Sequence, residues 1–434
     1  MSSSSNEPEN IVFFRGWFDS KGGTIHPNVY YQQVDTGFNI IAKDPIPEDA
    51  EIVSCPFDLV ITPKVSRDAL LKVLQIDGAA VEDIFKGWTE TQLMCTYMAM
   101  HSIAGDNENL RHTPYLSTLP SPSRLFTPLH FTSTELSLFQ GSNLYSATLD
   151  RQHIWQGHHA QCQSLISSIN TSWGNLFTWE KYLTAATYIS SRAFPSTLMN
   201  VEPSLVATKE SFPILLPGVD ALNHARAKPV SWIISHPSPT GDVPLTRSKI
   251  SLVLHTSTPA NSELFNNYGP KPNAELILGY GFTLENNPDD TIVLKIGGAK
   301  GSQGQDKWEV GREVKGIDPV WKVIVDAVHE QSEEDEEVQA EDGVEVVNVE
   351  DELDASDMLA RMAGSLLEKL PPPEVQDTTG VRLEVATMLR HYIEGQRDIL
   401  QSIIHFAREK EQRALQLAKE QGLDIVAEDP EDAE

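Results

Sequence analysis

The stretch Pro213–Lys228, PILLPGVDALNHARAK, turns abruptly from an apolar run to a group of polar side chains. Pro217 ends the run, and Asp220, Asn223 and His224 follow at once. Read alone, the NH pair suits a catalytic pair, a metal fragment or a turn closing a buried strand. Two other pieces carry comparable signals. Upstream is SRAF, Ser191–Phe194, at the end of helical text; downstream is NNYGPKPNAELILGYGF, Asn266–Phe282, where Tyr268 and Tyr280 each precede a glycine. Each also has an ordinary structural reading: an arginine at a helix end, a capped turn, two tyrosines packed beside tight glycine turns.

The rest of the chain bounds what these pieces can mean. At 434 residues it exceeds one comfortable core, so two or three domains are expected. With 40% apolar and 8% aromatic residues it can fill them. The formal charge of −29 argues against broad contact with a phosphate backbone, which needs clustered Lys and Arg. Basic protein partners are compatible with it, and no direct nucleic-acid partner is expected. Cys55, Cys95 and Cys162 make neither a disulfide framework nor a Cys-rich zinc site, and they suit a reducing compartment. The start, MSSSSNEPEN, lacks an apolar signal core, and no run approaches 18 uncharged apolar residues. The expectation is a soluble protein of the cytoplasm, the nucleus or both, without a membrane span.

Along the chain, Ile11–Ser20 reads as a small helix or turn after a polar leader. In GFNIIAKDPIPEDAEIVSCPFDLVIT, Gly37–Thr62, two β-prone runs flank DPIPED, and the simplest expectation is one two-stranded piece of sheet. Ser66–Asn107 is mainly helical by apolar spacing, including Val81–Trp88. A proline-punctuated crossing ends in an N-cap signal before ELSLF. Helical text resumes near Asp150, where Trp173, Leu176, Trp179 and Tyr182 recur at helix spacing and read as core. Short strands are expected at Phe212–Leu216, Val230–Ile234, Lys249–Leu254 and Thr291–Ile296, without a regular βαβ rhythm. GGAKGSQG, Gly297–Gly304, lacks the terminal Lys-Ser/Thr of a phosphate loop and reads as a turn. An acidic insertion is expected over about 330–356, then a helix over Asp357–Leu370 stopped by prolines, then helical text with a break or two over Thr379–Glu420.

Other chemistries lack their usual support. His153, His158 and His159 stand in RQHIWQGHHAQC without a paired acidic motif, so no metal is expected. No G-x-S-x-G elbow is present.

In order and spacing, SRAF, DALNH and NNYGPKPNAELILGYGF resemble the SET-domain protein methyltransferases, in the branch of Rubisco large-subunit lysine methyltransferase and its fungal ribosomal-protein-modifying relatives. GFNIIAKDPIPEDAEIVSCP, PYLSTLP and ELSLFQGSNL extend the resemblance over most of the chain. It implies an α+β fold of small twisted sheets around a knot-like site, with a helical insertion and a mostly helical carboxy-terminal domain that binds substrate. The corresponding parts are a leader and short helix at 1–20, the first part of the SET domain at 21–65, the insertion at 66–190, the rest of the SET core at 191–290 and the helical domain at 291–434.

The resemblance also implies S-adenosyl-L-methionine as cofactor, S-adenosyl-L-homocysteine as product and no metal. By position, Gly37, Phe38, Asn39 and Ile40 would approach the cofactor through backbone groups. Arg192 would hold its amino-acid end, and Asn223 and His224 its methionine and adenine parts. Tyr268 would be the catalytic tyrosine, with Phe194 and Tyr280 walling a lysine channel. The partner implied is a protein with an exposed lysine, such as a ribosomal protein or a histone, met by a monomeric enzyme. One departure stands out: the family's G-x-G becomes Gly37-Phe38-Asn39, with asparagine where glycine would tolerate positive φ. The alternatives are a catalytically weak SET-like scaffold, which Asn39 favours, and a protein-histidine methyltransferase, against which Phe194 speaks.

Overall fold

The computed structural model describes residues 7–77, 83–236, 247–296, 306–333, 348–372 and 379–423. The described chain forms two compact units. The first holds Met1–His130, Leu149–Pro270 and Gly279–Gly281; the second holds Phe131–Thr148, Lys271–Leu278 and Phe282–Glu434. Neither is a linear segment, so the units do not follow the linear boundaries that the sequence suggests.

In the first unit, helix α1 (Glu9–Ser20) buries Ile11, Phe14 and Phe18 at spacings of three and four, the amphipathic pattern that holds a short helix on a core. Strands β1 (Thr24–Ile25), β2 (Val29–Val34), β3 (Gly37–Ala42) and β4 (Ala50–Pro56) follow. The runs flanking DPIPED do not pair with one another, contrary to expectation. β3 pairs with β2, whereas β4 lies between β1 and β8 (Lys249–Leu254), with β7 (Val230–Ser235) beyond, in an antiparallel sheet of order β1-β4-β8-β7. The prolines at 45 and 47 supply no backbone donor for a hairpin ladder, and Ile46 between them bridges to Thr258 instead. β4 is buried over its last five residues, and Ile250, Leu252 and Leu254 of β8 pack in the same core.

The helical part of this unit runs from α2 (Pro63–Val73) and α3 (Glu90–Met100) through the single turn α4 (Thr113–Leu116) to α6 (Asn143–Ile169), which belongs to it from Leu149 onward, α7 (Thr171–Leu176) and α8 (Trp179–Arg192). Thr89 and Gln92 close a capping box on α3, satisfying two otherwise unpaired N–H groups. Of the run expected to be helical at Val81–Trp88, the described part is almost wholly turn. The aromatic stripe spans two helices, because the chain breaks between α7 and α8. Tyr182 is buried, Trp173 and Trp179 are partly so, and Leu176 is exposed. Two-residue strands β5 (Phe194–Pro195) and β6 (Pro213–Ile214) pair after α8.

In the second unit, the N-cap expected before ELSLF is Thr132, which opens α5 (Ser133–Ser137) with Glu135 completing the box. Helix α9 (Asn273–Tyr280) precedes strands β9 (Thr291–Ile296) and β10 (Asp306–Gly311), which pair as a ribbon. Helices α10 (Ile317–Glu333), α11 (Val349–Lys369) and α12 (Leu383–Gln421) follow. α11 begins at Val349, not Asp357, so Glu350, Asp351 and Glu352 occupy the first turn of a helix, where carboxylates are favoured. α12 continues through Gly395 without the expected break. A Cβ there would come within 2.3 Å of an Asp290 carboxylate oxygen, so close packing explains the glycine better than helix termination. GGAKGSQG and the acidic residues 334–347 lie outside the described residues. No helix among the described residues is long and apolar enough to cross a membrane.

Candidate active site

Helix α8 delivers Arg192 from its last turn, a position where a cation meets the negative end of the helix dipole. Tyr182, Ala185, Ala186 and Ile189 are buried along this helix and fix its rotation. The guanidinium Nη1 donates to the Asp220 carbonyl at 2.9 Å and lies 3.6 Å from Asp220 Oδ2. Asp220 sits on the single turn Val219–Ala221 and is only 6% exposed. Its carboxylate accepts a 2.6 Å hydrogen bond from the Tyr115 hydroxyl. Burial pushes the Asp220 carboxyl upward, while Arg192 and the Tyr115 hydroxyl pull it back. Burial of the guanidinium pulls its pKa down, but Asp220 together with Tyr115, Tyr268 and Tyr188 more than offsets this, so Arg192 remains cationic.

Arg192 and Asp220 line one side of a cleft whose other walls include Phe38, Leu119 and Pro120. Tyr188, one turn before Arg192, donates its hydroxyl to the Pro120 carbonyl and holds that wall to α8. A cation set beside Phe38, Leu119 and Pro120 fits a ligand that is part amino acid and part aromatic, as S-adenosylmethionine is. β3 supplies the Phe38 side. Gly37 has φ +140°, which favours glycine, and a Cβ there would meet Pro120 at 3.5 Å. Asn39 is not among the residues at positive φ; it pairs with Gln32 in the β2–β3 ladder. Asparagine in place of the glycine that the sequence resemblance leads one to expect therefore strains no backbone at this position. Ile40 is buried in the core, and its carbonyl accepts from the Leu264 N–H at 2.8 Å.

The NH pair crosses a second segment. Asn266 N–H donates to the Asn223 carbonyl at 2.8 Å and Ala225 N–H to the Asn266 carbonyl at 2.9 Å, a short parallel bridge. This brings Tyr268 beside His224: the Tyr268 N–H donates to His224 Nδ1 at 3.0 Å, which places the proton of a neutral ring on Nε2. The two rings stack at 5.0 Å, and Tyr268 stacks on Tyr280 at 5.2 Å on its other side. Gly281 makes that last placement possible. Its φ is +81°, and a Cβ there would press to 2.7 Å from the Phe126 backbone. The Tyr268 ring keeps some exposure, but its hydroxyl donates at 2.9 Å to the carbonyl of buried Leu222. Burial raises its pKa, with Arg192 opposing, so it stays a neutral phenol.

The structure thus brings together Phe38, Arg192 and Asp220 at the cleft, and His224, Tyr268 and Tyr280 in one stack. Phe194 lies on β5, edge-on to Trp232 at 6.5 Å. His159 Nε2–H donates to the Phe177 carbonyl at 3.0 Å, and the ring stacks on that of Phe177, a packing role within the insertion. Sequence reasoning gave no role to Tyr115, Tyr188, Glu263 or Asn266. PYLSTLP drew notice as a family piece, but nothing local says that Tyr115 meets a carboxylate 105 residues away.

No family model matches the chain. It is 33% identical over 256 residues to ribosomal lysine N-methyltransferase set10 of Schizosaccharomyces pombe, covering 59% of this chain and 41% of that protein. It is 26% identical over 223 residues to ribosomal lysine N-methyltransferase 1 of Saccharomyces cerevisiae, covering 43% and 35%. The chain therefore spans less than half the length of these relatives. Among solved structures, it matches the SET domain of LSMT bound to methyllysine and AdoHcy with a TM-score of 0.70 at 18% identity, over 97% of this chain and 98% of that one. Rubisco LSMT bound to AdoMet matches with a TM-score of 0.66 at 18% identity, over 96% and 98%. With its small sheets, its helical insertion and its crossed NH and NNYG segments, the chain has the fold seen in the SET domain of LSMT.

Proposed function

We propose that this chain transfers a methyl group from S-adenosyl-L-methionine to a lysine side-chain amine of a protein, a ribosomal protein being the substrate class that its relatives' names suggest. The observation that carries this reading is the Tyr268 ring stacked between His224 and Tyr280, with its backbone tied to the NH motif. When bound, the cofactor supplies a methyl carbon on a sulfonium: the lysine nitrogen forms the new N–C bond, the C–S bond breaks, its electron pair goes to sulfur, and the nitrogen loses a proton.

The chain's own residues align and select. Arg192, held by Asp220, offers a fixed cation for a carboxylate. Tyr268, a neutral phenol, orients an incoming amine and polarised methyl group without acting as a strong base. Beside Tyr280 and Phe194 an incoming amine leaves water, and that loss of solvation disfavours its ammonium form, so the amine reacts neutral. Reaction by direct displacement asks for no metal. The reading extends to a monomer working in the cytoplasm, the nucleus or both.

The test is transfer of an isotope-labelled methyl group from S-adenosylmethionine into proteins of a cell lysate, followed by mapping of the modified peptide. Label on lysine supports the proposal, and label on histidine would move the chain to the histidine-modifying class. Calorimetric binding of cofactor without any labelled protein would make it a scaffold; no binding would remove the foundation of the reading.

A further inference from the structure

Glu263 belongs to none of the motifs that point to the cleft, yet it stands where they meet. It forms an isolated antiparallel bridge with Ile41 of β3, which sets it beside the strand that carries Asn39. Its Oε1 accepts a 2.8 Å hydrogen bond from Asn223 Nδ2. The same nitrogen lies 3.2 Å from Asn39 Oδ1 and 3.5 Å from the Phe38 carbonyl oxygen. A carboxamide nitrogen has only two hydrogens, so these acceptors consume its donor capacity. What remains of the Asn223 amide is its oxygen.

We propose that Glu263 and Asn39 are positioning residues: they hold the Asn223 amide by its nitrogen and thereby present its oxygen to the cofactor seat, as an acceptor matched to an ammonium group. This deepens, and rests on, the cofactor reading given above. Arg192 then answers a carboxylate and Asn223 answers an amine, so the two ends of an amino-acid moiety are read by groups of opposite kind. The order of the amide is what matters. An unheld asparagine presents nitrogen or oxygen with little preference, and half of those presentations set donor against donor.

Asn39 takes on a different meaning in this light. It stands where the family has glycine, without positive φ, and its side chain is the second acceptor on Asn223. It supports the seat. The side chain bonded to Glu263 is that of Asn223, with Tyr268 coupled to it through space, and no cation pairs with it among the described residues. Burial raises its carboxyl, opposed by the Asn223 hydrogen bond. Once protonated, it becomes a donor and favours the flipped amide, so acid weakens the seat.

The experiment uses the full chain with asparagine-selective ¹⁵N labelling, and the variants E263L, E263Q and N39G. In the ligand-free protein the Asn223 side-chain amide signal shifts in a single acid titration, which E263Q abolishes while keeping the amide protected from exchange; E263L loses the protection. By calorimetry, E263L binds S-adenosylmethionine about tenfold more weakly, equivalent to about 1.4 kcal/mol. N39G binds roughly two- to fivefold more weakly, in line with one neutral hydrogen bond. E263Q, whose amide oxygen still accepts, stays within about threefold of the parent and loses the acid dependence. Tighter binding by N39G overturns the proposal, as does parental affinity in E263L or a loss in E263Q equal to that in E263L. If the parent chain binds no S-adenosylmethionine, the functional reading fails, and the amide titration still decides whether Glu263 orients Asn223.

Discussion

Tyr268 illustrates how a side chain acquires a role from its neighbours. Its backbone N–H, ring and hydroxyl are each committed, to His224, to the two flanking rings and to Leu222. Y268F keeps the stack and loses only the hydroxyl. Methyl transfer is expected to fall by about 10²- to 10³-fold, the usual cost of removing one well-placed polar group from a reacting centre, with cofactor affinity nearly unchanged. A single-turnover assay on the mapped substrate checks this, and an unchanged rate removes Tyr268 from the chemistry. At Asp220 the concern is stability. Y115F strips a buried carboxylate of a 2.6 Å hydrogen bond, and urea unfolding is expected to show a loss of about 2 kcal/mol. The sequence showed Arg192, Asp220, Asn223, His224 and Tyr268 as a set, because each sits in a short motif. It could not show Glu263 or Tyr115 as members, since their adjacency is made by chain crossings and not by local order.

Elements were legible where local chemistry dominates. Strands β8 and β9 fall where alternating and β-branched residues place them, and α5 opens where its capping box stands. Pairing was not legible, because β3 and β4 choose partners by which faces can be buried together. Helix ends show the same division. Glu135 completes the α5 box, and its carboxylate also takes three hydrogen bonds from Arg382, the N-cap of α12, at 2.8–2.9 Å. Burial alone would raise this carboxyl, yet Arg382 and the backbone N–H of Thr132 draw it down from 4.5 to about 2. A depressed carboxyl contributes stability that is complete above pH 4.5 and lost as pH falls towards about 2. The amount is on the order of 3 kcal/mol, reduced by screening at the partly exposed guanidinium. E135Q is therefore expected to be less stable at pH 7 and to show a shallower fall between pH 4.5 and 2 in a series of urea titrations. Parallel curves for the two proteins would refute that assignment.

At the scale of the molecule, the charge of −29 sets the conditions of encounter. Attraction between so acidic a chain and a lysine-rich protein is screened within about 8–10 Å at physiological salt. Raising sodium chloride from about 50 to 300 mM should lower kcat/KM on a basic protein severalfold while leaving kcat unchanged. Indifference to salt would show that the acidic charge plays no part in docking. The sequence by itself determined the mixed α+β class, the order of the site motifs and the residue types gathered at the cleft, because composition, capping and turn signals are local. Only the tertiary structure decided which strands pair, where the two units divide, and which amide, carboxylate and ring meet around NH. Those outcomes depend on burying apolar faces and satisfying buried polar groups across distant segments, and a linear pattern does not encode the choice of partner.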